Sequence, residues 1–259
     1  MVSRKGPEKS SAGSRMQPPW LSVLRRRAAF KNSYIDFERG IRVGRLEPEE
    51  RITRILKARL TERFAIRFIC DRWGRGLFWQ WICWVPEPNR RAKPKSSGMN
   101  FSSGKFFVSV DRNDRILQAG VQIERAPVEP DPDDWPIRLE RDWDWHVFVR
   151  ALKGESLQRL LRRLTREGFL IRLGPFGAMK TFGRSNYDPS ALRAVLRKFP
   201  RNAWGGFQLY WPFGEEEVRG TEGGELIEAV VAAFEETAPV LDLCMYAPCL
   251  GTKSSSRQR

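Results

Sequence analysis

KFFVSVDRNDRILQAGVQIE, residues 105–124, sets two apolar, strand-like arms on either side of a polar turn. Its arms, KFFVSV (105–110) and ILQAGVQIE (116–124), carry the aromatic and β-branched residues that fit a pleated surface. Between them lies DRND, and Asp and Asn bond their own backbone in turns, so the two arms pair as an antiparallel hairpin. Upstream, AIRFIC (65–70) and LFWQWICWV (77–85) read as two more strands, separated by Trp73-Gly74-Arg75-Gly76. The second is apolar on both faces, which predicts a central position in a sheet. PEPNRRAKPKSSG (86–98) follows as a basic, proline-containing loop.

Helices bracket these strands. A short one is expected from Pro19 to Phe30, with Leu21, Leu24 and Ala28 on one face. Pro48 in LEPEE suits the first position of a helix carrying Ile52, Ile55, Leu56, Leu60 and Phe64. Residues 126–136, APVEPDPDDWP, form an acidic, proline-rich break and the best internal boundary. Beyond it come a helix over 155–167 with Leu157, Leu160, Leu161 and Leu164 on one stripe, and a strand FLIRL (169–173). A helix capped by Asp188-Pro189, a strand GGFQLYWPF (205–213) and an amphipathic helix over 224–237 complete the order. The fold class expected is α+β, a mostly antiparallel sheet with helices packed on it. Residues 1–19 and 251–259 read as disordered basic tails, 20–128 as a basic α+β half, and 129–250 as a neutral, helix-rich half of the same or a closely packed domain.

The order of the later pieces resembles a family of bacterial proteins, the domain-of-unknown-function family 2461. The pieces are VSVDRNDRILQAGVQIE, the Leu/Arg helix, Lys180 before Tyr187-Asp188-Pro189, a strand ending Trp211-Pro212-Phe213, and GGELIEAVVAAFEETAPVLDLC. The resemblance covers residues 105–243; the N-terminal half departs from the family pattern. It implies a curved antiparallel sheet with helices on it, and it implies no activity.

Charge is the strongest functional signal. The 259-residue chain has a formal net charge of +15. Residues 1–128 hold 27 Lys and Arg against 12 Asp and Glu, whereas residues 129–259 hold 19 of each. That asymmetry is the electrostatic footprint of a polyanion binder. With 41% hydrophobic residues, the chain is not wholly disordered. A single histidine, His146, excludes a two-histidine HEXXH zinc hydrolase. Cys70, Cys83, Cys244 and Cys249 lack CXXC spacing and read as free thiols. No apolar run reaches the ~18 residues of a membrane span, and no secretory h-region precedes Pro19, so a cytoplasmic protein is expected.

Several constellations invite catalytic readings and fail on their own terms. GPFGAMKT (174–181) has Met179 where a phosphate-binding loop needs glycine, and no helix follows it. Asp111, Asp114 and Glu124 lie on a hairpin, as nuclease carboxylates do, but turn formation accounts for the aspartates. His146 near Asp142 and Asp144 lacks a nucleophile to serve. Trp73, Trp79, Trp81 and Trp84 fall close to basic residues; Trp79 and Trp81, sharing a face with Leu77 and Cys83, read as core, and Trp73 as exposed.

The reading is therefore non-catalytic binding of nucleic acid or another polyanion. Arg25, Arg26, Arg27, Arg75, Arg90, Arg91, Lys93 and Lys95 would meet phosphate, Trp73 would stack on a base, and Lys180 and Arg184 would contact an anion. No cofactor and no metal is expected. Two alternatives stand beside it: a metal-dependent hydrolase or nuclease using carboxylates near 111–124, and a protein-interaction module whose arginines reflect genomic composition.

Overall fold

A computed structural model describes residues 29–93, 100–129 and 137–251. Its strands are β1 (Ile35–Asp36), β2 (Gly40–Arg42), β3 (Phe68–Arg75), β4 (Phe78–Pro86), β5 (Lys105–Asp111), β6 (Ile116–Arg125), β7 (Leu170–Pro175), β8 (Lys180–Phe182) and β9 (Gly205–Gly214). Its helices are α1 (Ile52–Phe64), α2 (Glu87–Arg91), α3 (Asp144–Ala151), α4 (Glu155–Glu167), α5 (Pro189–Arg197), α6 (Glu215–Gly220) and α7 (Gly223–Leu243). The expected helix at 19–30, both tails, Arg25–Arg27 and Lys95 lie outside the described residues, except the last two positions of the helix and Gly251 of the C-terminal tail.

The strands form one open α+β sheet in the order β1-β2-β4-β5-β6-β9-β7-β8, with β3 on β4. Every pairing described is antiparallel. β5 and β6 make the hairpin that the DRND turn dictates, from Lys105↔Gln122 to Asp111↔Ile116. The break at 126–136 does not divide the sheet, because β6 pairs along its whole length with β9, from Ile116↔Gly214 to Arg125↔Gly205. The basic and neutral halves thus share one sheet and one core. This close pairing needs Gly120, where a Cβ would lie 2.0 Å from the Leu209 carbonyl oxygen.

Alternation along β6 separates the two faces of the sheet. Leu117, Ala119, Val121 and Ile123 join the main core, which also takes Trp84, Phe106, Phe148, Phe207 and Phe234. Helices cover this side: the Phe234 ring of α7 lies 5.0 Å from Phe106, and Phe148 of α3 stacks on Phe207 at 4.4 Å. The opposite face carries a second cluster of Cys83, Val85, Phe107 and Tyr210, with Ile69, Trp81, Ile116 and Leu170 against it. All eight residues come from strands, so this face packs largely against itself. The sheet must curl for that to happen. Arg172 on β7 pairs with Asp111 on β5 at 3.0 Å, although β9 and β6 lie between them. In a flat sheet three strand steps would hold them ~14 Å apart.

Local departures from expectation have physical causes. Pro48 sits in a turn, and α1 starts only at Ile52, because Glu50 closes the 47–50 segment. Its carboxylate accepts from the Glu47 amide at 3.0 Å and the Tyr34 hydroxyl at 2.6 Å. The 86–98 loop contains the short helix α2, and α7 runs past Pro239 to Leu243. Trp79 and Trp81 do not share a face. The register passes from Trp73↔Trp81 to Gly74↔Trp79, which loops out Gln80. Trp79 therefore packs on the main core and Trp81 on the second cluster.

Candidate functional site

Three hairpin turns converge on a surface depression of about 570 Å³. The β1–β2 turn supplies Glu38 and Arg39, the β3–β4 hairpin supplies Trp73, Gly74, Arg75, Leu77, Phe78 and Gln80, and the β5–β6 turn supplies Arg112. Each outer turn is built by an aspartate that bonds forward to its own backbone. Asp36 accepts from the amides of Glu38 and Arg39, both at 2.9 Å, and Asp111 from those of Asn113 and Asp114 at 3.1 and 3.3 Å. Short polar side chains thereby project Arg39 and Arg112 outward.

Trp73 is 70% exposed. It sits on β3, which pairs only with β4 among the described residues. Gly74, at φ +145°, lets β3 pass the β4 backbone where a Cβ would meet the Trp79 Cα at 2.8 Å. The Arg39 guanidinium lies 4.0 Å over the Phe78 ring, and that of Arg72 lies 4.1 Å over Trp79. Stacking of this kind holds a guanidinium flat while its N–H edges stay free for an anion. The one carboxylate in the lining, Glu38, pairs with Arg115, which also donates to Glu215 at 2.8 Å. The depression therefore keeps the charge of Arg39, Arg75 and Arg112.

Of the described residues expected to meet an anion, the structure unites Trp73 and Arg75 only. Arg90 and Arg91 lie beyond the far end of β4, and Arg91 pairs with Glu87. Lys180 and Arg184 belong to the β8 end, five strands away in the hydrogen-bonded order. Arg184 there lines a separate depression with Leu170, Thr181, Gly183, Ser185 and Asn186. Lys93 is corrected outright: it is fully buried, and its Nζ lies 2.9 Å from the Asp144 carboxylate. Arg39 and Arg112 escaped the sequence reading because turn arginines look like any solvated charge.

Lys93 belongs to a buried clasp centred on Asp144. The Asp144 carboxylate also accepts from Asn89 Nδ2 at 2.7 Å and from the backbone amides of Gly104 and Tyr246 at 2.6 and 2.7 Å. Burial lowers the Lys93 pKa, and Asp144 opposes that shift. Asp144 is the first residue of α3. A second buried network lies on the strand-only face. Lys105 pairs with Glu124, Gln122 donates to Glu124 at 3.0 Å, and Gln208 and Trp81 donate to Gln122 at 2.8 and 3.1 Å. Acidic side chains of α7 neutralise further arginines, through Arg59–Glu228, Arg63–Glu235 and Arg163–Glu236. Part of the formal positive charge is thus cancelled internally.

The carboxylates of the hydrolase alternative do not meet. Asp111 stands opposite Ile116, and Glu124 is eight residues further along β6, ~27 Å at strand spacing. Among the described residues no group of three or more His, Cys, Asp or Glu is placed to hold a metal ion. GPFGAMKT forms the β7–β8 hairpin, with Lys180 on a strand. His146 lies on α3, its pKa lowered chiefly by burial. All four cysteines are free, and burial pushes Cys70 and Cys249 up to about 11. Ellman's reagent at pH 8 is accordingly expected to react slowly with the native protein and to find four thiols once it is unfolded. Rapid native modification would contradict these environments.

No protein-family description, no curated protein and no solved structure matches the chain. No helix among the described residues is long and apolar enough to cross a membrane.

Proposed function

We propose that the protein binds a polyanion without catalysis, in the depression between the three hairpin turns. The observation that carries this reading is the grouping of Arg39, Arg75 and Arg112 around an exposed Trp73, with the only lining carboxylate engaged elsewhere. Phosphate contacts of this kind position a ligand without reading sequence, so specificity is low. Four free thiols fit a reducing, cytoplasmic setting.

A salt titration tests the reading. Three arginines that each neutralise one phosphate release counterions, so the logarithm of the association constant should fall with the logarithm of salt at a slope of about −2 on a single strand. Arg75→Ala should make that slope shallower by roughly 1. Absence of binding at low salt, or binding indifferent to salt, would defeat the proposal.

A further inference from the structure

We infer that the preferred polyanion is a single-stranded nucleic acid, one of whose bases stacks on Trp73 while the adjoining phosphates meet Arg39, Arg75 and Arg112. This rests on the polyanion reading and narrows it. An exposed indole contributes nothing to the core, and here it is 70% exposed on a strand that pairs only with β4 among the described residues. Register places Trp73 opposite Trp81, Trp81 opposite Ser109, and Ser109 opposite Gln118, so the ring stands at the rim of the strand-only face. The volume of about 570 Å³ lies within the range of sites for small organic groups, larger than phosphate alone requires.

The chemistry of the lining separates ligands of equal charge. Polyphosphate satisfies the arginines and, having no apolar face, leaves the indole unused. In a duplex the base faces are already stacked on one another, so none is free for Trp73. An unpaired base offers a face, and stacking on an aromatic side chain is sequence-tolerant. Arg39, held flat on Phe78, lies in the same lining and leaves its donors to the backbone phosphate.

Fluorescence anisotropy with a labelled 12-nucleotide oligothymidylate, a 12-base-pair duplex and inorganic polyphosphate as competitor decides the matter. The single strand should bind more tightly than the duplex. Trp73→Ala should weaken single-strand binding by roughly 5- to 150-fold, and leave polyphosphate competition for Arg75 contacts unchanged. Trp73→Phe should restore part of the loss. Because Trp73 lies outside both buried clusters, the substitution leaves the fold intact. Equal affinity for single strand and duplex, or a Trp73→Ala variant that binds the single strand as before, would overturn the stacking inference and spare the polyanion reading. Failure of all three polyanions to bind would overturn both.

Discussion

Replacing Asp144 with alanine is expected to remove about 3–5 kcal/mol of folding stability, the cost of breaking a buried ion pair by deleting one partner. The carboxylate gathers Asn89 and Lys93 from the segment around α2, Gly104 from the approach to β5, and Tyr246 from beyond α7, three separated parts of the chain. Its loss leaves a fully buried ammonium with the Ser102 carbonyl and the Ser103 hydroxyl but without its paired carboxylate, and it removes the acceptor of one buried and one part-buried backbone amide. Lys93→Met should cost less, because the carboxylate keeps three of its four donors. Urea unfolding followed by tryptophan fluorescence measures both. The clasp would lose its assigned role if Asp144→Ala unfolded within about 1 kcal/mol of the parent, or if Lys93→Met proved the more damaging change.

Glu124→Ala is expected to cost a comparable amount, about 3–5 kcal/mol. Lys105 is almost fully buried, and without Glu124 its ammonium keeps, among the described residues, the rings of Trp81 and Phe101, each 5.7 Å away. Two aromatic contacts at that distance do not replace a buried counter-charge. Gln122 would also lose the acceptor for its amide, disturbing the bonds from Gln208 and Trp81. Glu124→Gln keeps an acceptor for Lys105 and removes only the charge, so its loss should fall between the alanine variant and the parent. A Glu124→Ala protein with an unchanged denaturation midpoint would show that Lys105 finds solvent.

The hairpin at 105–124 was legible in the sequence because turn chemistry and strand composition agree over twenty residues. The 155–167 helix, the Asp188-Pro189 start and the 205–213 strand were legible for the same reason, each having a periodic stripe or a cap. β1, β2 and β8 have two or three residues each and no period to detect. The offset at Gln80 was invisible because alternation assumes an unbroken register, and one looped residue sends Trp79 and Trp81 to opposite faces.

The site was half legible. Trp73 beside a Gly-Arg-Gly turn announced exposure, and Arg75 came with it. Arg39 and Arg112 arrive through strand pairings that join distant turns, which no local window contains. Lys93 and Asp144 show the converse failure: in composition a buried charge and a solvated one are identical, and only a partner fifty-one residues away distinguishes them. The neutral half also does more than stand apart from the basic half, since its Asp144 and the glutamates of α7 absorb Lys93, Arg59 and Arg63.

The location of binding can be measured directly by photocrosslinking an oligonucleotide that carries 5-iodouracil and mapping the modified peptides by mass spectrometry. The expected result is a crosslink at Trp73 within the segment spanning β3 and β4, suppressed by Arg39→Ala and Arg75→Ala together. Crosslinks confined to α4, where Arg159, Arg162, Arg163 and Arg166 line a common depression, or to the Arg184 depression, with Trp73 untouched, would contradict a binding site between the three hairpin turns.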